Sequence, residues 1–201
     1  GYGGASFGLK KAKIPHRVIG YSDIEQEAID LYEYNFPNIK NYGDITQIDE
    51  TKLPDFDLFT GGFPCQPFST VGKMLGELDT RGTLFYDIIR ICEYKKPRYI
   101  LLENVKGLLG KKHRPTFDKI ISELNRIGYK NVQYAILNSK DYGVPQNRER
   151  LWIFGQLGGL PEGFVLEPPH VELKYRIKDF LDKKPSEDLY RTQAQIDRIH
   201  E

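Results

Sequence analysis

Cys65 sits in the stretch GGFPCQPFS, from Gly61 to Ser69, and is one of only 2 cysteines in the chain. Glycines and a proline precede it and Pro67 follows, so few loop conformations stay open to its thiol. A sulfur held this way is a nucleophile once deprotonated; a lone cysteine serves as readily as a small buried apolar group. Three carboxylates pose the same choice. Asp23 and Glu103 end runs that read as strands, and Asp44 lies in the turn NYGDITQID. An acid at such a place either caps a turn or meets a ligand. Open parallel sheets bind ligands beyond the carboxyl ends of their strands. The gathering of Asp23, Asp44, Cys65 and Glu103 on one such rim favours the ligand reading.

The elements that must position these groups follow from periodicity. GYGGASFGLKKAK reads as a glycine-rich turn and a short helix, HRVIGYSD as a strand, and IEQEAIDLYEYNFPN as a helix closed by Pro37. In that helix Ile24, Ala28, Leu31 and Tyr32 share a face. FDLFTGG reads as a short buried strand, TLFYDIIRICEYKKP as a helix and RYILLEN as a strand. A further helix carries Phe117, Ile120, Ile121, Leu124 and Ile127, and NVQYAILNS and RLWIFG read as two closing strands. Cys92 falls on the apolar stripe of its helix and reads as core. Alternation of strands and helices predicts an α/β fold with a doubly wound, mostly parallel sheet covered on both faces, its last strands pairing as an antiparallel edge. From about Gly155 the composition turns to Gly, Pro and Glu, which reads as a linker. The stretch beyond it is charged, with helical character.

Composition sets outer bounds. With 201 residues, 29 basic and 28 acidic, charge argues neither for nor against nucleic acid. The 13 Tyr and 11 Phe are expected to fill the core. So few cysteines fit a reducing, cytoplasmic setting better than a disulfide framework. No apolar run nears the ~18 residues of a membrane helix, and no stretch reads as a secretory leader. His16, His113, His170 and His200 lie far apart, so no metal site is expected.

GYGG opening a helix offers backbone N–H groups to an anion and allows close approach. An acid ~20 residues on, at the end of the next strand, fits ribose hydroxyls, and Asp23 lies near that distance. These features favour an adenosine-containing cofactor and leave its kind open.

The series Pro64-Cys65-Gln66, Glu103-Asn104-Val105 and Gln146-x-Arg148-x-Arg150 resembles the cytosine carbon-5 DNA methyltransferases, in order and over residues 1 to about 155. The resemblance implies a Rossmann-like methyltransferase fold, S-adenosylmethionine as cofactor and double-stranded DNA as partner. It makes Cys65 the nucleophile that adds to ring carbon 6, Glu103 the group facing ring nitrogen 3 and the amine, and Arg148 and Arg150 the pair holding the ring oxygen, the thiol region and nearby phosphates. Cofactor contacts fall on Gly1, Gly3, Gly4, Ala5, Asp23, Ile24, Asp44, Ile45, Pro64 and Leu84. DNA contacts fall on Gln66, Ser69, Val71, Arg81 and Asn104, with Asn104 also bracing the cysteine loop. The loop from Cys65 to Arg81 resembles the segment that closes over a flipped base, with Gly72, Gly76 and Gly82 as hinges. Ala5 stands where the family carries an aromatic, which leaves looser cofactor binding or a substitute role for Phe7.

The resemblance further implies residues 1–155 as the catalytic and cofactor-binding domain and 156–201 as a linker and the start of a target-recognition region. It implies that the first sheet strand and the remaining recognition region lie outside these residues, in a longer protein or in a second chain, the former being favoured. A prokaryotic cytoplasmic restriction-modification enzyme is the expectation. A catalytically silent DNA- or subunit-binding partner and the transfer-RNA branch of the same fold are the alternatives; the RNA branch carries a Cys-Phe-Thr tripeptide that this sequence lacks.

Overall fold

The computed structural model describes residues 2–64, 84–184, 186, 190 and 192. Its described elements are α1 (Gly4–Lys11), α2 (Gln26–Asn35), β1 (Leu58–Gly62), α3 (Leu84–Lys95), β2 (Tyr99–Val105), α4 (Arg114–Arg126), β3 (Gln133–Asn138) and β4 (Glu149–Gln156), with short 3-10 turns between several of them. The chain divides into two compact units, one of residues 1–137 and 149–168, the other of residues 138–148 and 169–201.

The first unit carries a 4-stranded sheet in the order β1-β2-β4-β3. β1 runs parallel to β2, pairing Gly62 with Glu103, whereas β4 runs antiparallel to β2, pairing Trp152 with Glu103 and Arg150 with Val105. The α/β class expected from the sequence holds, and the described sheet is mixed rather than mostly parallel. The physical reason is the short chain between β3 and β4. No crossover helix separates them, so β4 can return beside β2 only in the opposite direction.

Alternation along β2 and β4 sorts their side chains onto two faces. Ile100, Leu102, Leu151 and Ile153, all 0% exposed, join Phe85, Ile88, Ile89 and Cys92 of α3 and Phe117, Ile120 and Leu124 of α4 in one core. The other face carries Tyr99, Leu101, Glu103, Arg150, Trp152 and Phe154, each partly exposed. Full cover on both faces was the expectation; among the described residues the second face is only half-buried. Tyr99 stacks on Phe154 there at 5.9 Å.

The core is more aliphatic than the aromatic content suggests, since Tyr2, Tyr34, Tyr94, Tyr134, Tyr175 and Tyr190 are exposed. Among the described residues Tyr129 is the largest fully buried side chain, its hydroxyl donating to the Pro97 carbonyl at 2.6 Å. Burial pushes that phenol well above its usual range and the Cys92 thiol up to about 12, so Cys92 stays protonated and inert.

Two expected elements differ. HRVIGYSD forms no strand among the described residues; it contributes one parallel bridge, Tyr21 to Asn41. The apolar face expected on α2 is narrower too. Tyr32 is buried, whereas Ile24 is 66% and Leu31 48% exposed. Tyr32 is held by rings, stacking on Tyr21 at 4.0 Å and meeting Phe36 at 5.3 Å.

Within the second unit Val171 donates its amide to the Asp141 carbonyl at 2.8 Å, and Tyr142 meets His170 edge-on at 5.7 Å. A 3-10 turn at Ile177–Phe180 is the described helical element of its C-terminal stretch. Among the described residues no helix is long and apolar enough to cross a membrane.

Candidate active site

Glu103 sits near the carboxyl end of β2, on the half-buried face, where register sets Gly62 on one side and Trp152 on the other. Arg150 lies one diagonal step away on the same face of β4, and its Nε meets Glu103 Oε1 at 2.8 Å. Both side chains are partly exposed, 31% and 24%, so the pair is partly solvated and not sealed in the core. Arg150 Nη1 also donates to the Glu149 carbonyl at 2.8 Å, which fixes the plane of the guanidinium. The result is a carboxylate of defined direction at a strand end, beside a fixed cation.

Gly62 is part of this arrangement, although its side of the strand pair carried no signal beyond a glycine before the cysteine loop. A Cβ there would lie 3.2 Å from Glu103 Oε2. Gly62→Ala is therefore expected to push the carboxylate aside without unfolding the sheet, lowering kcat by roughly tenfold or more. Steady-state kinetics beside a thermal melt would check it; unchanged kcat would deny Gly62 the role.

Asn104 points the other way from its neighbour and is 2% exposed. Its Nδ2 donates to the Phe63 carbonyl at 2.8 Å, and its Oδ1 accepts from the Val105 amide at 2.9 Å. Phe63 in turn packs on Phe85 at 5.2 Å. The chain entering the cysteine loop is thus clamped to β2 next to Glu103. Buried in this way, the Asn104 side chain lies on the core face of β2. Pro64 follows and is exposed. Cys65, Gln66, Ser69, Val71 and Arg81 lie outside the described residues, as do Gly1 and the closing loop with Gly72, Gly76 and Gly82.

Arg148 belongs to the second unit and is exposed. Asn138 closes the loop ahead of it: Asn138 Oδ1 accepts the Arg148 amide at 3.1 Å and Nδ2 donates to Asn147 at 2.7 Å. The polar spacing gave no sign of that clasp.

A second group of expected residues lies around α1 and the segment from Tyr21 to Asp49. Gly3 takes φ +89°, and a Cβ on it would lie 2.5 Å from Phe36. The glycine is therefore required by packing as well as by any ligand. Among the described residues α1 begins with no side-chain cap, so the N–H groups of its first turn have no capping side chain as acceptor. Gly4 and Ala5 are exposed there. Phe7 leans on Phe36 at 4.8 Å, so it belongs to this aromatic cluster.

Asn41 ties the acidic segments together. Its Oδ1 accepts from the amides of Asp23 at 3.3 Å and Gly43 at 2.9 Å, and its Nδ2 donates to the Asp23 carbonyl at 3.1 Å. Ser22 Oγ adds a bond to the Gly43 carbonyl at 2.5 Å. Asp23 and Asp44 thereby stand on two strands of chain pinned side by side. Asp44 Oδ1 accepts from the Thr46 amide at 2.9 Å. Ile24 is exposed, Ile45 packs partly against the core, and Leu84 opens α3 at 39% exposure. An uncapped helix end for a carboxylate and two oriented acids for hydroxyls and an amine form a donor and acceptor set that fits an amino-acid-bearing adenosine compound. Among the described residues no group of three or more His, Cys, Asp or Glu could hold a metal ion.

A model of the C-5 cytosine-specific DNA methylase family matches residues 1–200. The chain is 38% identical over 200 residues to the type II methyltransferase M.NlaIV of Neisseria lactamica, covering 90% of this chain and 47% of that protein. It is 33% identical to the type II methyltransferase M2.ScrFI of Lactococcus lactis subsp. cremoris, covering 98% of this chain and 69% of that protein. Among solved structures, S. pombe Dnmt2 methyltransferase aligns with a TM-score of 0.76 at 25% identity, covering 98% of this chain and 63% of that one. The chain spans about half the length of the first of these curated relatives. With the family match running nearly end to end, the chain belongs to the C-5 cytosine-specific DNA methylases.

Proposed function

We propose that this chain is the catalytic part of a DNA (cytosine-5-)-methyltransferase of restriction-modification type, using S-adenosylmethionine and acting on a cytosine flipped out of duplex DNA. The observation that carries the reading is the Glu103–Arg150 pair at 2.8 Å, set beside the Asn104 clamp on Phe63, two residues before Cys65. It joins two stretches of the family pattern, at Glu103-Asn104 and at Arg150, and ties to them the residue that leads into the third.

Cytosine carbon 5 is a poor nucleophile until the ring is saturated at carbon 6. In the proposed reaction the Cys65 thiolate adds there, and the electron pair of the carbon 5–carbon 6 double bond moves to carbon 5. Negative charge spreads toward ring nitrogen 3, where the Glu103 carboxyl supplies a proton or hydrogen bond and Arg150 holds the carboxyl in place. S-adenosylmethionine, when bound, supplies an electrophilic methyl group. Loss of the carbon 5 proton to a base then expels the Cys65 thiolate and restores the double bond. Gly3, Gly4 and Ala5 at the head of α1, with Asp23, Ile24, Asp44, Ile45, Pro64 and Leu84, would hold the cofactor. Arg148 and the residues Gln66, Ser69, Val71 and Arg81 would meet DNA, since a base within the duplex is out of reach unless extruded.

Residues 156–201 are proposed as the passage toward a target-recognition region, which would explain the near-neutral charge of this chain: most phosphate contacts would lie elsewhere. The test is incubation of the complete protein with duplex DNA and methyl-labelled cofactor. Label on cytosine carbon 5 is the expected result. No transfer to any cytosine-bearing duplex would favour a silent binding partner, and preferential labelling of transfer RNA would move the protein to the RNA branch.

A further inference from the structure

Arg90 takes no part in the chemistry above, yet it makes the most extended set of polar contacts of any described side chain in the first unit. It projects from the middle of α3 onto the segment that follows Asp44. Nη2 donates to the Ile45 carbonyl at 3.0 Å and Nη1 to the Ile48 carbonyl at 2.6 Å. Nη1 also pairs closely with Glu50, while Nε and Nη2 both reach Asp87 Oδ1, at 3.3 and 3.1 Å. The side chain is 32% exposed, Glu50 23% and Asp87 15%.

Short-range bonds shape the segment that receives these contacts: Gln47 donates to the Asp44 carbonyl at 3.0 Å and Lys52 to the Asp49 carbonyl at 3.1 Å, and the Asp44 and Asp49 side chains cap its two turns. The segment consists of two 3-10 turns, Ile45–Gln47 and Glu50–Lys52, whose closing backbone bonds from Ile48 and Leu53 are long, 3.4 Å each. The Ile45 carbonyl and the Thr46 amide belong to one peptide group, which is planar. Arg90 holds the oxygen of that plane, and the hydrogen on its other side is the one Asp44 Oδ1 accepts. Rotation of the peptide would break both bonds together. The direction of the Asp44 carboxylate is therefore coupled, through one rigid plane, to a guanidinium more than forty residues away in sequence.

We infer that Arg90 is a positioning residue for cofactor recognition, fixing the Ile45–Thr46 peptide so that Asp44 presents its carboxylate to the adenine amine. The inference rests on the proposed cofactor reading and adds to it the element that sets base selectivity. A lysine cannot replace the fork, because one ammonium cannot serve two carbonyls and two carboxylates in fixed directions.

The test uses the complete protein, with Arg90→Met and Arg90→Lys beside the wild type. Calorimetry gives the affinity for S-adenosylhomocysteine and for its hypoxanthine analogue, S-inosylhomocysteine, which lacks the amine. The wild type is expected to prefer the adenine form. Arg90→Met is expected to weaken S-adenosylhomocysteine roughly tenfold or more and to narrow the preference, with kcat at saturating cofactor little changed. If Arg90→Met does not fold, Arg90→Lys is expected to show the same two changes at smaller size. A folded variant that keeps both wild-type affinity and wild-type preference overturns the inference, as does a loss confined to kcat. A wild type that binds neither compound overturns the cofactor reading itself, and the inference with it.

Discussion

Cys65→Ser in the complete protein is expected to abolish methyl transfer to DNA, a loss on the order of a thousandfold or more. A serine hydroxyl is far less acidic than a thiol and a weaker nucleophile toward an unsaturated ring carbon. Duplex DNA containing 5-fluorocytosine isolates the step. After addition and methyl transfer, carbon 5 carries fluorine where a proton must leave, so the thiolate cannot be expelled and protein stays joined to DNA. The wild type should give a denaturation-resistant complex and Cys65→Ser none. A complex of equal yield from the serine variant would remove Cys65 from this role. Cys92 offers an internal control: buried in the core with its thiol pushed up to about 12, it cannot substitute.

Glu103→Gln is the second large effect, expected to lower kcat by ~10²- to 10⁴-fold, the usual range for a positioned acid or base. The amide keeps the size of the carboxyl and removes its charge and its exchangeable acid. Arg150 loses its counter-charge at 2.8 Å but keeps the Glu149 carbonyl, so its orientation should survive. Two controls separate chemistry from structure. The thermal midpoint should fall little, because the pair is partly solvated, and S-adenosylhomocysteine affinity should stay at the wild-type value. A Glu103→Gln protein with near wild-type kcat would leave the carboxylate with only its ion pair to explain it.

Much of the fold was legible because its strands and helices carry strong periodic patterns. RYILLEN alternates about Ile100 and Leu102, and α3 and α4 show core residues at helical spacing. HRVIGYSD was not legible, because a strand exists only through its neighbours and Tyr21 finds a single bridge at Asn41. The position of β4 was equally hidden. Nothing local in RLWIFG distinguishes pairing with β2 from pairing at an edge. At the site, strand-end position pointed to Glu103 and the family resemblance to Arg150, and register brought them together. Asn41, Arg90 and Asn138 escaped notice because each acts in part through backbone groups, and Gly62 because its contribution is the absence of a side chain beside Glu103. Amide and carbonyl partners leave no trace in side-chain chemistry.

The make-up of the second unit has a practical corollary for building hybrids of these enzymes. Its two pieces, residues 138–148 and 169–201, enclose β4 in the sequence and are joined by the Val171-to-Asp141 bond. A single crossover near residue 168 would graft one parent's tail onto the other parent's loop. Chimeras should keep a native unit only when both segments come from the same parent, with the strand bearing Arg150 taken from the parent that supplies β2.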